Sequence, residues 1–227
     1  MNKVHDTQMD FQNISEIIVG YRLKIGVMGS ASGSVMRDKK AVKASRTVGA
    51  EIAKHNCTLV NGACPGLPDE AALGCKNSGG KCLGISPAIS VISHINRYKS
   101  PIEHYDEFIF TGLGLMMRDI INVRSCDGVI ILPGGTGTLN EFTVAYDEGK
   151  PIGVLTGHGG CADHIDEILE FCKREPGEKM VFSDDPVELV EKLVDIVKNE
   201  DSPDFLDDFL IGDNGVVTKI EEKMEGK

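Results

Sequence analysis

The sequence predicts an α/β fold, a doubly wound parallel sheet in a modified Rossmann-like three-layer arrangement. Three observations predict it. Runs such as Val129 to Leu132 are apolar throughout, as strands covered on both faces are. Segments of helical periodicity alternate with these runs, supplying right-handed crossovers between parallel strands. The loops after three of the strands concentrate small residues, and open parallel sheets bind ligands at the carboxyl ends of their strands.

The elements follow in order. Residues 1–22 read as an N-terminal helical extension, with Phe11, Ile14, Ile17 and Ile18 at helical spacing. The first strand, Leu23 to Met28, ends in the turn signal GSASGS. A helix from about Val35 to His55 leads to the strand CTLVNG, then to a helix from Pro68 to about Asn77 and the strand KCLGISP. The segment from Pro87 to Tyr105 reads as irregular and is long for a connection, which marks it for function or flexibility. From Glu107 the alternation resumes: EFIFTG as strand, LGLMMRDIINVRSC as helix, DGVIILPGG as strand, TGTLNEFTVAYDEG as helix and PIGVL as strand. A helix over Asp163 to Arg174, a strand over Lys179 to Phe182 and a helix over Pro186 to Lys198 complete one domain, 23–198. Residues 199–227 form an acidic tail.

Composition limits what such a domain does. Of the formal net charge of -11, the tail carries more than half through nine acids against three lysines. An acidic balance argues against a nucleic-acid polymer as partner, because phosphate-backbone affinity comes from clustered Lys and Arg. It does not oppose one phosphate held by backbone amides. No apolar run approaches the roughly 18 residues of a membrane span, and MNKVHDTQMD lacks the pattern of a secretory signal, so a cytoplasmic protein with no membrane partner is expected. The 7 cysteines include no C-x-x-C pair and no His partner at ligand spacing. They read as free thiols in a reducing compartment, with Cys57 and Cys82 as small buried hydrophobes and no metal site.

The small-residue loops are Gly29 to Ser34, Gly62 to Pro68 and Pro133 to Thr138. None contains G-x-G-x-x-G or G-x-x-x-x-G-K-[ST], and the second strand ends in Asn61 instead of a ribose-binding acid, which excludes dehydrogenases and phosphate-loop ATPases. In the third loop, ILPGGTGTLNEF runs from strand straight into helix. Gly134, Gly135 and Gly137 free the backbone, Thr136 and Thr138 add hydroxyls beside the first-turn amides, and the set forms a cradle for phosphate. Glu141 follows one turn later on the same face. In the first loop, Gly29 and Ser30 leave the strand where the sheet order should reverse, and Gly62 opens the second loop. On the helix before the third loop, Arg118, Asn122 and Ser125 form a polar stripe, expected to point away from a core contacted by Met116, Met117, Ile120, Ile121 and Val123. Arg124 is a secondary phosphate or structural candidate.

PGGTGTLNE, Pro133 to Glu141, resembles the PGGxGTxxE signature of the Lonely Guy family, nucleoside 5′-monophosphate phosphoribohydrolases often mislabelled lysine decarboxylases. The resemblance spans about Lys24 to Lys198 and places Arg118 at the family's catalytic arginine, fifteen residues before the proline. The family's M-H-E-R-K is LMMRD here, with Asp119 at the lysine, and its second loop becomes GACPGLPDEA. The resemblance implies hydrolysis of the N-glycosidic bond of a nucleoside 5′-monophosphate to free base and ribose 5-phosphate. Arg118 and Glu141 would be catalytic, Gly134 to Thr138 with Gly29, Ser30 and Gly62 would bind the nucleotide, and no metal or other cofactor would be required. It also implies a homo-oligomer, a dimer or larger. A non-catalytic nucleotide or molybdenum cofactor carrier, as in the same superfamily, is the alternative. A nucleotide sensor that signals through its acidic tail is a third reading. Lysine decarboxylation finds no support, because the cradle holds no lysine for pyridoxal phosphate.

Overall fold

The computed structural model describes residues 22–200 and two short strands farther on, Phe209–Ile211 and Val217–Lys219. The expected N-terminal extension lies outside the described residues apart from Arg22. So does the tail, apart from its first two residues and those strands, which pair antiparallel.

Seven parallel strands make the main sheet: β1 (Lys24–Met28), β2 (Thr58–Asn61), β3 (Lys81–Ser86), β4 (Glu107–Phe110), β5 (Gly128–Ile131), β6 (Ile152–Leu155) and β7 (Met180–Ser183). Their order is β4-β3-β2-β1-β5-β6-β7. The chain therefore winds outward from β1 to one edge, returns to pair β5 with β1, and winds to the other edge. Gly26 of β1 lies opposite Val60 of β2 and Val129 of β5, which fixes the register at the centre. The crevice at this reversal opens beyond the carboxyl ends of β1 and β5, where the sequence places its first and third glycine loops.

Helices α1 (Lys39–Lys54), α2 (Leu67–Asn77), α3 (Val91–Asn96), α4 (Gly114–Arg124), α5 (Thr136–Asp147), α6 (Ile165–Phe171) and α7 (Pro186–Glu200) occupy the gaps between strands. Two cores result, one on each face of the sheet. Val48 and Ile52 of α1, Ala71 of α2 and Leu189 and Leu193 of α7 pack on one face. Val123 of α4, Phe142 and Ala145 of α5, and Ile165 and Leu169 of α6 pack on the other. Burying each large aliphatic side chain contributes about 1.5–3 kcal/mol, so both faces hold the sheet rigid beneath its loops. Cys57 and Cys82 are buried, and all seven cysteines are free thiols.

The segment 87–105 is not wholly irregular. Ser90 caps α3 by accepting from the Ser93 amide, and buried His94 is pinned from both ring nitrogens, Nδ1 at 2.8 Å from Ser86 Oγ and Nε2 at 3.0 Å from the Pro101 carbonyl. Six residues are too few for the apolar period to show in sequence, which explains why the helix is invisible there. Among the described residues no helix is long and apolar enough to cross a membrane.

Candidate active site

The three glycine loops meet in one cleft of about 380 Å³ above β1, β2 and β5. Backbone hydrogen bonds tie them together: the Ser30 amide donates to the Pro133 carbonyl at 3.0 Å, and the Leu67 amide to the Ser30 carbonyl at 2.9 Å. Gly29 and Ser30 line the cleft, but the Ser30 hydroxyl turns back to the Ser32 carbonyl at 2.6 Å. The first loop is thus a wall and brace more than a donor.

Two helix N-termini face this region, and the sequence distinguishes them. At α2 the Leu67 amide is already used, Pro68 has no N–H, and Asp69 and Glu70 occupy the first turn. At α5 no side chain caps the helix and the first turn carries no acid. The first backbone bond runs from Leu139 N–H to the Gly135 carbonyl, so the amides of Thr136, Gly137 and Thr138 have no acceptor within the helix. These residues and Gly135 line the cleft, and Gly135, Thr136 and Gly137 are exposed. An anion is favoured at this end by the amides and the helix dipole together.

Gly134 sits behind the cradle, where a Cβ would overlap Thr138 Oγ1, so a side chain there would displace the nearly buried threonine. The loop after β6 braces the turn from outside. The Cys161 amide donates to the Gly134 carbonyl at 2.8 Å, and Asp163 orders that loop by accepting from the Gly157 and Gly159 amides at 2.6 and 2.7 Å. Sequence reading missed this brace, which joins segments more than twenty residues apart.

The inner wall comes from α4 and α5, and here one expectation is reversed. Arg118 and Asn122 point inward, with Arg118 only 5% exposed and Asn122 fully buried, whereas Met116 and Met117 are 58% and 56% exposed. An apolar stripe normally marks the buried side of a helix. Of the α4 apolar residues expected in the core, only Val123 is fully buried, because the inward side also forms the cleft wall, where polar groups face one another. Arg118 Nη1 lies 3.9 Å from Glu141 Oε1, and Nη2 lies 3.6 Å from Asp119 Oδ1. Asn122 Nδ2 donates to Glu141 Oε1 at 3.2 Å. Arg118 Nε and Asn122 Oδ1 are buried without partners among the described residues, so the wall retains hydrogen-bonding capacity there.

Gly62 makes this arrangement possible, since a Cβ there would overlap the Arg118 guanidinium. Asn61 acts on the backbone instead of on a ribose: its side chain accepts from the Ala63 amide and donates to the Pro68 carbonyl, both at 2.8 Å, fixing the second loop. Burial pushes the Glu141 carboxyl up to about 8; the Asp119 charge adds to this, and Arg118 and the Asn122 amide oppose it. Asp119 is raised as well, by burial, against Arg118 and the Asn140 amide.

The structure therefore brings Gly29, Ser30, Gly62, Arg118 and Glu141 to one cleft with Gly135 to Thr138, and places Gly134 directly behind it. It places Arg124 elsewhere. That residue ends α4, and its Nε pairs with Glu148 Oε1 at 2.5 Å on the surface. Asp119, Cys64 and Met116 line the cleft without having been singled out as site residues by the sequence. Among the described residues no group of three or more His, Cys, Asp or Glu side chains could hold a metal ion.

Comparison with known proteins adds four findings. A family model described as the SLOG cluster4 family matches residues 22–190. An uncharacterized protein of Archaeoglobus fulgidus is 30% identical over 133 residues, 59% of this chain and 80% of that one. A cytokinin riboside 5′-monophosphate phosphoribohydrolase of Mycobacterium tuberculosis is 36% identical over 107 residues, 45% of this chain and 52% of that one. In structure, the molybdenum cofactor binding protein of Rippkaea orientalis superposes with a TM-score of 0.63 at 25% identity, covering 78% of this chain and 99% of that one.

Proposed function

The chain belongs to the SLOG cluster4 family, within the Lonely Guy-like superfamily, and on that premise we propose that it hydrolyses the N-glycosidic bond of a nucleoside 5′-monophosphate to free base and ribose 5-phosphate. One observation carries the reading: an uncapped helix N-terminus, with no acid in its first turn, stands one helical turn before Glu141, whose buried carboxyl faces Arg118. The spacing suits a ligand with an anionic end and a reacting centre a few ångströms away.

In this reading the amides and hydroxyls from Gly135 to Thr138 hold the 5′-phosphate. Cleavage passes through an oxocarbenium-like state, positive on the ribose and negative on the departing base. Glu141 faces the ribose, accepting hydrogen bonds from its hydroxyls and stabilising the cation once ionised. Arg118 orients the sugar phosphate and offsets the charge growing on the base. The phosphoribohydrolase relative supports the reaction class. Incubation with AMP is expected to release adenine above the level of Glu141→Gln; equal release from both proteins contradicts the role of Glu141.

The likeness to the molybdenum cofactor binding protein favours a second reading, a carrier that seats a phosphorylated pterin on the same α5 terminus without cleaving anything. A carrier retains its ligand through purification and leaves AMP intact.

We also propose a homo-oligomer. Met117 and Ile121 of α4 are exposed, and so are Ile89 and Ile92 of the α3 region, at 77% and 69%. The Gly112 amide, just before α4, donates to the Ala88 carbonyl at 2.9 Å, which ties the start of one region to the other. Exposed apolar side chains in such numbers support an association surface. Light scattering is expected to give a dimer or larger, and Met117→Asp with Ile92→Asp to give monomers. A wild-type monomer at micromolar concentration contradicts the assignment.

A further inference from the structure

Arg118 faces two carboxylates. Asp119 and Glu141 flank opposite ends of its guanidinium, and all three side chains are more than nine-tenths buried. The other groups around Glu141 bring no positive charge. On α4 this is Asn122, and just past its end comes the thiol of Cys126; the loop after β2 brings Cys64 and the loop after β6 brings Cys161. Burial raises all three thiols, which keeps them neutral. On α5 itself Asn140 directs its amide to Asp119 at a long 3.4 Å. With both acids ionised, this wall of the cleft would hold an uncompensated negative charge, which burial strongly disfavours.

Resting on the hydrolase reading, we propose that Asp119 is a positioning residue that keeps a proton on Glu141, so that Glu141 meets the nucleotide as an acid and not as a carboxylate. Each acid faces one side-chain amide, Asn140 for Asp119 and Asn122 for Glu141, but Asp119 lies nearer the guanidinium, at 3.6 against 3.9 Å, so it is the acid better placed to remain ionised. Glu141, reached by the same guanidinium at the longer distance, retains the proton. Two like acids driven to different states is the arrangement that separates acid from base in glycoside cleavage.

The step balances. The Glu141 O–H bond breaks as an N–H bond forms on the base, which leaves with the electron pair of the C1′–N bond. The Glu141 carboxylate so formed faces the ribose cation. Water adds to C1′ and returns one proton to the carboxylate pair, restoring the site. The substrate class follows: nucleotides whose base must be protonated to leave, as adenine must, and not ribotides whose cationic base departs neutral.

The test is a carbon-13 NMR titration of the Glu141 carboxyl in the whole protein, beside the pH profile of adenine release from AMP. The wild-type midpoint is expected near 8. In Asp119→Asn it should fall by about one pH unit or more, as removal of a like charge across a shared guanidinium requires. The alkaline limb of adenine release should fall with it. Asp119→Ser removes the same charge with a different shape and should give the same shift if the asparagine variant folds poorly. A midpoint unmoved in a folded variant overturns the proposal. If AMP survives at every pH, the hydrolase reading fails, while the titration still decides whether Asp119 holds the proton on Glu141.

Discussion

Replacing Arg118 with alanine is expected to destabilise the protein by about 3–5 kcal/mol at pH 8, the range found when one partner of a buried ion pair is removed. Most of that loss should disappear near pH 5. Among the described residues Arg118 is the one cation within 4 Å of both Asp119 and Glu141, and it lowers the pKa of each. Without it both acids move further upward. A carboxyl whose pKa is higher folded than unfolded binds more protons when folded, so its contribution to stability falls as pH rises from the ordinary carboxylate range through the folded value. For Glu141 that window already ends near 8 in the wild type. The variant should therefore lose stability more steeply than the wild type as pH rises from the ordinary carboxylate range past the Glu141 value near 8. As pH falls the two acids take up protons, and what remains of the deficit is the missing packing of the arginine stem. Urea unfolding at the two pH values reads the difference; a deficit of equal size at both would mean that Arg118 contributes packing and not charge.

Gly62→Ala should act more on chemistry than on stability. The added methyl would overlap the Arg118 guanidinium, and the second loop has little freedom to withdraw. Ala63 already sits at φ 48°, in the left-handed region, held by Asn61. The guanidinium must move instead. A displacement of about 1 Å in a positioned group commonly lowers kcat by roughly 100-fold. Phosphate affinity should change little, since the α5 terminus and its brace from Cys161 are untouched. Overpacking adds a stability loss of about 1–3 kcal/mol, smaller than that of Arg118→Ala at pH 8. The check is kcat for AMP beside direct phosphate binding; a parallel collapse of both would show that Gly62 supports the whole cleft and not the arginine alone.

These effects show which parts of the protein can be read from sequence. The sheet was legible because its central strands β5 and β6 are short, wholly apolar runs, and because the three glycine loops all follow strands. The reversal between β1 and β5 then placed Gly29 and Gly135 at one crevice with no further information. The α5 cradle was legible for a local reason: amides, glycines and hydroxyls within six consecutive residues define it. Glu141 followed from helical spacing alone.

The orientation of α4 was not legible. Burial was assigned from hydropathy, and the inward side of this helix forms part of a polar cleft, so the rule pointed the wrong way. Arg124 failed on geometry as well, because six residues along a helix carry it about 9 Å from Arg118 and well round the axis. Asp119 was visible in the sequence only as the residue after the arginine. Its pairing with Glu141 across Arg118 joins two helices, and neither spacing nor composition reports such a contact. The brace from Cys161 and Asp163 was hidden for the same reason.

The account turns on whether this cleft breaks a glycosidic bond. The direct measurement is quantification of adenine and ribose 5-phosphate after incubation of the purified protein with AMP, beside Glu141→Gln under the same conditions. The account predicts both products from the wild type in equal amounts, with release lowered about 100-fold or more in the variant, the scale on which positioned acid catalysis acts. AMP recovered intact, from a protein that is stabilised by a phosphorylated ligand or retains one through purification, would contradict it and leave the cleft a carrier site.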